Sequence, residues 1–269
     1  MVTMKKLSDG NEIPEIGFGL WLNKDREECI KSVDLAVKAG YRHFDTAQQY
    51  ENEEYLAEGL KLAGLERKDA FITTKISVRN FIHVKKSFEK SLQNMQTDYV
   101  DLLLLHFPVT ALRHGAWKHL EEIHTEGKAK SIGVSNYTVR HLEHLLKDCK
   151  VRPVINQVEL HVFLQQPELL RYCQEQGIAV EAYSPLAHGQ GMDDPVLIEI
   201  AEKHDKTPAQ IMLRWCVDIG TIPLPKSVTA ARIAENINIY DFKLDAEDMA
   251  KIQGLERDLR TCWDPTHVI

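Results

Sequence analysis

Short apolar segments alternate with amphipathic segments along the whole chain, and this alternation constrains the fold more than any other feature. The amphipathic segments repeat apolar residues at spacings of three and four, which predicts helices, and the short apolar runs predict strands. A strand-then-helix order repeated along the chain favours parallel strands joined by helical crossovers. The eight predicted strands are Ile16–Leu20, Arg42–Thr46, Phe71–Ile76, Val100–His106, Ser131–Ser135, Val154–Leu160, Ala179–Ser184 and Thr221–Pro225.

The character of these strands favours a closed barrel. Segments such as Leu102–Leu105 are apolar at every position, as expected for strands that are covered on both faces. The 269 residues contain no linker or shift in composition, so we expect one domain, residues 1–269, with the α/β fold of a (β/α)8 TIM barrel. Predicted helices lie near residues 29–37, 52–63, 84–96, 116–126, 138–147, 167–176, 195–204 and 208–217, and a last helix begins near Asp245.

An open, doubly wound sheet is the alternative architecture. It would be expected to carry a glycine-rich phosphate turn near its first strand, and Gly17-Phe18-Gly19 lacks the third glycine of that motif. Before the first barrel strand, Ser8-Asp9-Gly10 predicts the turn of an N-terminal β-hairpin within Met4–Pro14. We expect this hairpin to close the bottom of the barrel.

Composition limits the partners of the chain. Lys and Arg number 33 against 40 Asp and Glu, and the net charge of −7 lacks the basic excess of a general nucleic-acid binder. No run approaches the ~18 apolar residues that span a bilayer, and residues 1–10 are too polar for a signal peptide. Five cysteines without a C-x-x-C pair predict neither a disulfide framework nor a zinc finger. We therefore expect a cytoplasmic protein with no membrane, nucleic-acid or metal partner.

Polar and ionisable residues stand at the ends of several predicted strands, where the chemistry of a barrel is expected. Asp45 ends the second strand and is followed by Tyr50. Lys75 ends the third strand and His106 ends the fourth, while the sixth carries the polar segment Asn156–Glu159. An acid, a phenol, an amine and an imidazole are thus expected to converge on one rim.

These residue types suit the protonation of a developing alkoxide. A tyrosine with its ordinary pKa near 10 is a proton donor, and the Lys75 ammonium is expected to lower the pKa of Tyr50 toward the working range. Asp45 would keep Lys75 charged, and His106 would orient a substrate oxygen. Simpler roles exist: a rim ion pair for Asp45 and Lys75, packing for Tyr50, a core position for His106. Their coincidence at successive strand ends favours carbonyl reduction, with hydride from another source.

Three motifs carry a resemblance that covers nearly the whole chain. Gly40–Glu53 (GYRHFDTAQQYENE), Ile72–Ile76 (ITTKI) and Leu103–His106 (LLLH) occur in the order and spacing of the aldo-keto reductase family, which this sequence resembles. The resemblance implies the (β/α)8 fold and the NADPH-dependent reduction of aldehydes and ketones. It also implies a catalytic tetrad of Asp45, Tyr50, Lys75 and His106.

The same resemblance implies a site for NADPH. Ser135, Asn136 and Gln157 match residues that bind the nicotinamide carboxamide, in a site where Tyr183 stacks on the ring. The remaining matches are Ser184 and Leu186 along the pyrophosphate, Lys226, Ser227, Thr229 and Arg232 at the 2′-phosphate, and Glu235 and Asn236 at the adenine.

Two cationic side chains favour NADPH over NADH on physical grounds. Arg232 offers a planar fork suited to phosphate and Lys226 a point charge, whereas an NAD site more often presents an acid to the ribose. The alternative is that both are solvated surface charges.

The sequence departs from the family pattern on the substrate side. Ser77 and Phe107 stand where many members carry tryptophan, and the segment Pro108–Gly115 is short, so we predict a more open and less selective pocket. The predicted substrate-binding residues are Trp21, Phe107 and Trp263. Trp263 belongs to a C-terminal tail, Leu259–Ile269, that is expected to form a loop near the active site. The alternative role for Trp263 is to anchor that tail.

Retention of His106 also favours carbonyl reduction, since family members that reduce carbon–carbon double bonds carry Glu there. Two alternatives from other classes remain. One is a Schiff-base lyase or aldolase with Lys75 as nucleophile, and the other is a non-catalytic NADPH-binding protein. The implied nicotinamide site argues against the first and the intact tetrad against the second. The resemblance favours a monomer that acts on a small-molecule carbonyl substrate.

Overall fold

Eight parallel strands, each hydrogen-bonded to the next in chain order, form the centre of the structure, a computed structural model that describes residues 3–268. A short antiparallel hairpin, β1 (Met4–Lys6) and β2 (Glu12–Pro14), precedes them. The barrel strands are β3 (Phe18–Gly19), β4 (His43–Asp45), β5 (Phe71–Ile76), β6 (Val100–Leu105), β7 (Ala129–Ser135), β8 (Ile155–Glu159), β9 (Ala179–Tyr183) and β10 (Ile222–Leu224).

Helices surround these strands. They are α1 (Arg26–Ala39), α2 (Glu53–Leu62), α3 (Val84–Asn94), α4 (Arg113–Thr125), α5 (Val139–Asp148), α6 (Pro167–Glu175), α7 (Pro195–His204), α8 (Pro208–Asp218), α9 (Ala230–Ile237) and α10 (Ala246–Gln253). Short 3₁₀ helices lie at Gln48–Tyr50, Arg67–Asp69, Val78–Asn80 and Ala187–Gly189. None of the helices within residues 3–268 is long and apolar enough to cross a membrane.

The first and last barrel strands meet and close the ring. The backbone N–H of Gly17 donates to Pro223 O, and that of Gly19 donates to Pro225 O, each at 3.0 Å. Gly17 has no room for a side chain, because a Cβ there would lie 2.6 Å from His43 Nδ1. The predicted (β/α)8 barrel is therefore confirmed, and the open-sheet alternative is wrong.

The hairpin closes the end of the barrel at which the strands begin. Leu7 and Ile13 are buried in one apolar cluster with residues of the barrel interior such as Leu102 and Ile155. Asn11 Nδ2 also donates to the backbone oxygen of Lys130, near the start of β7. The interior is thus apolar at the bottom, which leaves its polar residues higher up the strands.

Helix α9 was not predicted. Its apolar residues Ala230, Ile233, Ala234 and Ile237 repeat at spacings of three and four, but over only eight residues, about two turns, so the pattern is short. Most strands are also one or two residues shorter than predicted, and β3 keeps only two of the five residues of Ile16–Leu20.

Candidate active site

A cavity of about 950 Å³ opens at the carboxyl ends of the barrel strands. Its size is that of a cofactor or ligand pocket. It brings together most of the predicted site residues, whereas Lys75 and Phe107 lie behind its wall. The predicted residues that line it are Trp21, Asp45, Tyr50, His106, Ser135, Asn136, Gln157, Tyr183, Ser184, Leu186, Lys226, Ser227, Thr229, Arg232, Glu235, Asn236 and Trp263.

Lys75 lies under the cavity with its side chain fully buried. Its Nζ donates to both carboxylate oxygens of Asp45, at 2.6 and 2.8 Å, and to the backbone oxygen of Thr46 at 2.9 Å. A buried ammonium is tolerated only when it is paired and hydrogen-bonded in this way. The strand register explains the pairing, because Asp45 ends β4 and Lys75 lies near the end of the adjacent β5.

Tyr50 receives a further hydrogen bond from Lys75. Nζ lies 3.3 Å from the phenol oxygen and 4.8 Å from the centre of the ring. Burial, together with the Asp45 carboxylate and Cys262, raises the pKa of Tyr50 well above its ordinary value. The expectation that the pKa of Tyr50 is lowered toward the working range is therefore wrong, because loss of solvation has the largest influence on it. Tyr50 keeps its proton at neutral pH and can act as an acid.

His106 faces Tyr50 across the floor of the cavity. The two rings are 5.7 Å apart and nearly perpendicular. Burial, aided by the Lys75 charge, lowers the pKa of His106 to about 3, so the imidazole is neutral. A neutral imidazole has one N–H to donate. Because Nδ1 has no hydrogen-bond partner among residues 3–268, a proton on Nε2 avoids a buried, unpaired N–H donor.

A hydrogen-bonded chain joins the ends of β6, β7 and β9. Tyr183 Oη donates to Asn136 Oδ1 at 2.7 Å, and Asn136 Nδ2 donates to the backbone oxygen of His106 at 3.0 Å. Asn136 and Ser184 both have the left-handed backbone conformation, with φ of 66° and 49°. Such strained conformations cluster at functional sites, where they fix side-chain direction.

The side-chain amide of Gln157 donates two hydrogen bonds inside the barrel. Nε2 donates to Asp45 Oδ2 and to Glu181 Oε2, each at 2.8 Å. Glu181 was not predicted as a site residue. A single acid within the apolar strand β9 resembles an ordinary strand residue in sequence, and only its register opposite Gln157 reveals the contact.

The other end of the cavity is cationic and lies at the start of α9. Lys226 and Arg232 are exposed, and neither forms an ion pair with another residue of 3–268. Ser227 Oγ accepts a hydrogen bond from Thr229 N at 3.1 Å, just before the helix. A helix N-terminus with adjacent cations favours an anionic group such as phosphate.

Aromatic side chains line the outer rim of the cavity. Trp21 packs edge-on against His188 at 5.3 Å, and Trp263, which is 61% exposed, packs edge-on against Phe107 at 6.2 Å. Phe107 thus supports Trp263 from outside the cavity wall. Of the tail Leu259–Ile269, only Ile269 lies outside the described residues.

A buried carboxylate anchors this tail. Glu159, at the end of β8, accepts hydrogen bonds from the N–H and hydroxyl of Thr261, at 2.6 and 2.5 Å, and from Cys262 N at 3.2 Å. Burial opposes its ionisation, but hydrogen bonds from His161 and Thr261 prevail and lower the pKa of Glu159. The sequence placed Glu159 at a strand end without a role.

Several residues that line the cavity were not predicted. The Thr207-Pro208 start of a helix is a recognisable capping signal, but the sequence does not show that it reaches the cationic end. There Thr207 Oγ1 donates to Glu235 Oε1 at 2.8 Å. The other unpredicted lining residues are Gly19, Leu22, Gln49, Pro185, His188, Gly189, Met192, Ala209, Leu224, Pro225, Val228, Thr261 and Cys262.

Comparison with known proteins places this geometry in a class. The chain matches the aldo/keto reductase family over residues 15–257. It is 44% identical over 266 residues to the glyoxal reductase of Bacillus subtilis (strain 168), covering 98% of this chain and 96% of that protein. It is 43% identical over 267 residues to the methylglyoxal reductase of Escherichia coli (strain K12), covering 98% and 97%.

Comparison with solved structures gives the same result as the sequence comparison. An aldo/keto reductase from Brucella melitensis superposes with a TM-score of 0.92 at 44% identity, covering 95% of this chain and 100% of that one. A Bombyx mori aldo-keto reductase in complex with NADP has a TM-score of 0.91 at 34% identity, covering 97% and 94%. The chain belongs to the aldo/keto reductase family. The family and the oxidoreductase class predicted from sequence are confirmed, and the roles of the individual residues stay predictions.

Proposed function

We propose that this protein reduces aldehydes and ketones to alcohols with NADPH, through the tetrad Asp45, Tyr50, Lys75 and His106. One observation carries the proposal. The buried Lys75 links Asp45 to the phenol of Tyr50 at the floor of a cavity that continues to the cations Lys226 and Arg232. A proton donor and an anion site thus share one pocket, as hydride transfer from a phosphorylated cofactor requires.

The residues of the chain act on the carbonyl oxygen. NADPH, when bound, supplies the hydride. His106 is neutral and donates a hydrogen bond to the substrate oxygen, which orients the carbonyl. Tyr50 gives its proton to the alkoxide as charge develops there. Lys75 donates to the phenol oxygen and so stabilises the charge that remains on Tyr50, while Asp45 holds Lys75 in place.

The residues of the cavity fit NADPH in charge as well as in shape. Lys226 and Arg232, with the start of α9, supply the cationic end for the 2′-phosphate, where Ser227 and Thr229 add hydroxyls. Ser135, Asn136 and Gln157 would hold the carboxamide, and Tyr183 would stack on the ring. Ser184 and Leu186 would follow the pyrophosphate, and Glu235 and Asn236 the adenine.

The substrate end of the cavity, which is the part away from Lys226 and Arg232, favours small and uncharged carbonyl compounds. Among the described residues that line the cavity, Lys226 and Arg232 are the only lysine or arginine, and both lie at the cofactor end. Trp21, Leu22 and Trp263 make the rim apolar and aromatic. At the substrate end, the described lining residues therefore offer no lysine or arginine to a carboxylate substrate. Uncharged 2-oxoaldehydes fit this end, as the names of the glyoxal and methylglyoxal reductases among its relatives indicate.

The test is NADPH consumption, followed by absorbance, with methylglyoxal, an aromatic aldehyde, a neutral keto ester and a keto acid. NADH runs in parallel. We expect turnover with the neutral carbonyls and NADPH, little with the keto acid and little with NADH. Tight NADPH binding with no oxidation by any carbonyl would instead favour a non-catalytic NADPH-binding protein.

The aldolase alternative receives no support from the site. A Schiff base needs an accessible, uncharged amine. Lys75 Nζ is buried, paired with Asp45 and directed toward two further oxygens. Borohydride trapping of a carbonyl on Lys75 is expected to fail.

We also propose a monomer, residues 1–269 acting as one domain in the cytoplasm. All five cysteines are free thiols, which suits a reducing compartment. Gel filtration coupled to light scattering tests the oligomeric state, and the 30.8 kDa chain mass is the expected result.

A further inference from the structure

A second carboxyl group lies inside the barrel beside the tetrad. Glu181 occupies the middle of β9 with its side chain fully buried. Gln157 is its neighbour in the register of β8 and β9. The two are joined by the 2.8 Å hydrogen bond from Gln157 Nε2 to Glu181 Oε2, while the same nitrogen donates to Asp45.

Glu181 and the adjacent His43 are both uncharged at neutral pH. Burial and the nearby Asp45 carboxylate raise the pKa of Glu181 to about 8, while burial and Lys75 lower the pKa of His43 to about 3. Glu181 Oε1 lies 3.5 Å from His43 Nε2 and has no hydrogen-bond partner among residues 3–268. Because Oε2 accepts the hydrogen bond from Gln157, the acid proton belongs on Oε1, the oxygen that faces His43 Nε2.

This arrangement occupies both hydrogens of the Gln157 amide. A side-chain amide has two N–H donors and one oxygen. With one N–H committed to Asp45 and the other to Glu181, the amide plane is fixed. The amide oxygen is then the polar atom of the Gln157 side chain that remains for a ligand in the cavity, which Gln157 lines.

We propose that Glu181 is a positioning residue that locks the Gln157 amide with its oxygen toward the cavity, so that the site selects a nicotinamide by the NH₂ of its carboxamide. The inference rests on the proposed cofactor. Without an acceptor at position 181, the amide can keep its bond to Asp45 and turn the other N–H into the cavity. A donor would then face the ligand, and the preference for a carboxamide NH₂ would be lost.

The test compares two ligands by calorimetry, NADP⁺ and its acetylpyridine analogue, in which a methyl group replaces the carboxamide NH₂. We expect wild type to bind NADP⁺ about three- to tenfold more tightly, the value of one hydrogen bond. Glu181→Met, which has similar size but no acceptor, should bring this ratio close to one. Glu181→Gln should retain it, because its amide oxygen still accepts from Gln157.

A thermodynamic cycle shows whether Glu181 acts through Gln157. Gln157→Met should itself abolish the preference, and adding Glu181→Met should change the ratio no further. Glu181→Leu provides a second apolar shape should Glu181→Met not fold. A full preference retained in a folded apolar variant, or no preference in wild type that binds both ligands, would overturn the inference. Failure of wild type to bind NADP⁺ at all would instead overturn the proposed cofactor.

Discussion

At the scale of single residues, burial decides which protons are available in the site. His106 is kept neutral and Tyr50 keeps its proton, while the buried Lys75 is paired with Asp45 and hydrogen-bonded to the backbone oxygen of Thr46. The sequence identified these residues by type and order. The sequence did not reveal that the pKa of Tyr50 is raised, because desolvation depends on neighbours that are distant in the chain.

The buried Glu181 gives a pH-dependent cost in stability. Its pKa is raised from 4.5 to about 8 in the fold, so the unfolded chain releases this proton at lower pH than the folded chain does. The protonated Glu181 carboxyl therefore makes its full favourable contribution to the free energy of unfolding below pH 4.5, and this contribution is lost as pH rises through about 8. We expect Glu181→Gln to gain stability over wild type by up to about 1.4 kcal/mol per pH unit across this window. Urea unfolding of both proteins at pH 5, 6.5 and 8 measures the difference, and a constant difference would refute it.

At the scale of elements, α9 forms the cationic end of the cavity. Arg232 projects from this helix without an ionic partner in residues 3–268, which leaves its guanidinium available to a phosphate. The helix was not predicted from the sequence, since its apolar residues repeat at helical spacings over only eight residues. The three residues of α9 that the resemblance named, Arg232, Glu235 and Asn236, all line the cavity.

Replacement of Arg232 should weaken the binding of NADPH and leave the binding of NADH nearly unchanged. Arg232→Ala removes a charge-assisted hydrogen bond, so we expect NADPH to bind about 10- to 100-fold more weakly. NADH lacks the 2′-phosphate, and its affinity should change less than about twofold. Fluorescence titration measures both, with the exposed Arg171→Ala on α6 as control. Equal losses for the two cofactors would remove the assignment.

The C-terminal tail is the second element that shapes the cavity. Glu159 accepts three hydrogen bonds from Thr261 and Cys262, and Trp263 follows directly at the rim. The geometry of the rim therefore depends on that carboxylate, together with the contacts of Cys262 Sγ with Ser184 and His188.

Loosening this anchor should impair the binding of large substrates. Glu159→Gln has one acceptor oxygen in place of two, and we expect it to raise KM for an aromatic aldehyde severalfold while methylglyoxal is less affected. Trp263→Ala should do the same, and the double variant should match Trp263→Ala alone. Steady-state kinetics of the three variants measure this cycle. Additive effects would show that Glu159 does not act through the tail.

At the scale of the whole molecule, strand order brings distant residues together. The alternation of strands and helices predicted the barrel, and the barrel places the ends of β4, β5, β6 and β8 around one floor. What the sequence could not supply are contacts set by three-dimensional packing. The roles of Glu181 and Glu159 appear only when β8, β9 and the tail are assembled, because each is an ordinary acid within its own segment.

The central claim is that Tyr50 supplies the proton for carbonyl reduction in this cavity, and one comparison tests it most directly. NADPH oxidation by methylglyoxal is measured for wild type and for Tyr50→Phe, with the NADPH dissociation constant of each determined separately. We expect turnover to fall by at least about 100-fold, the lower range for general acid catalysis, while NADPH affinity stays within about threefold. Near-wild-type turnover of Tyr50→Phe with unchanged NADPH binding would contradict the account.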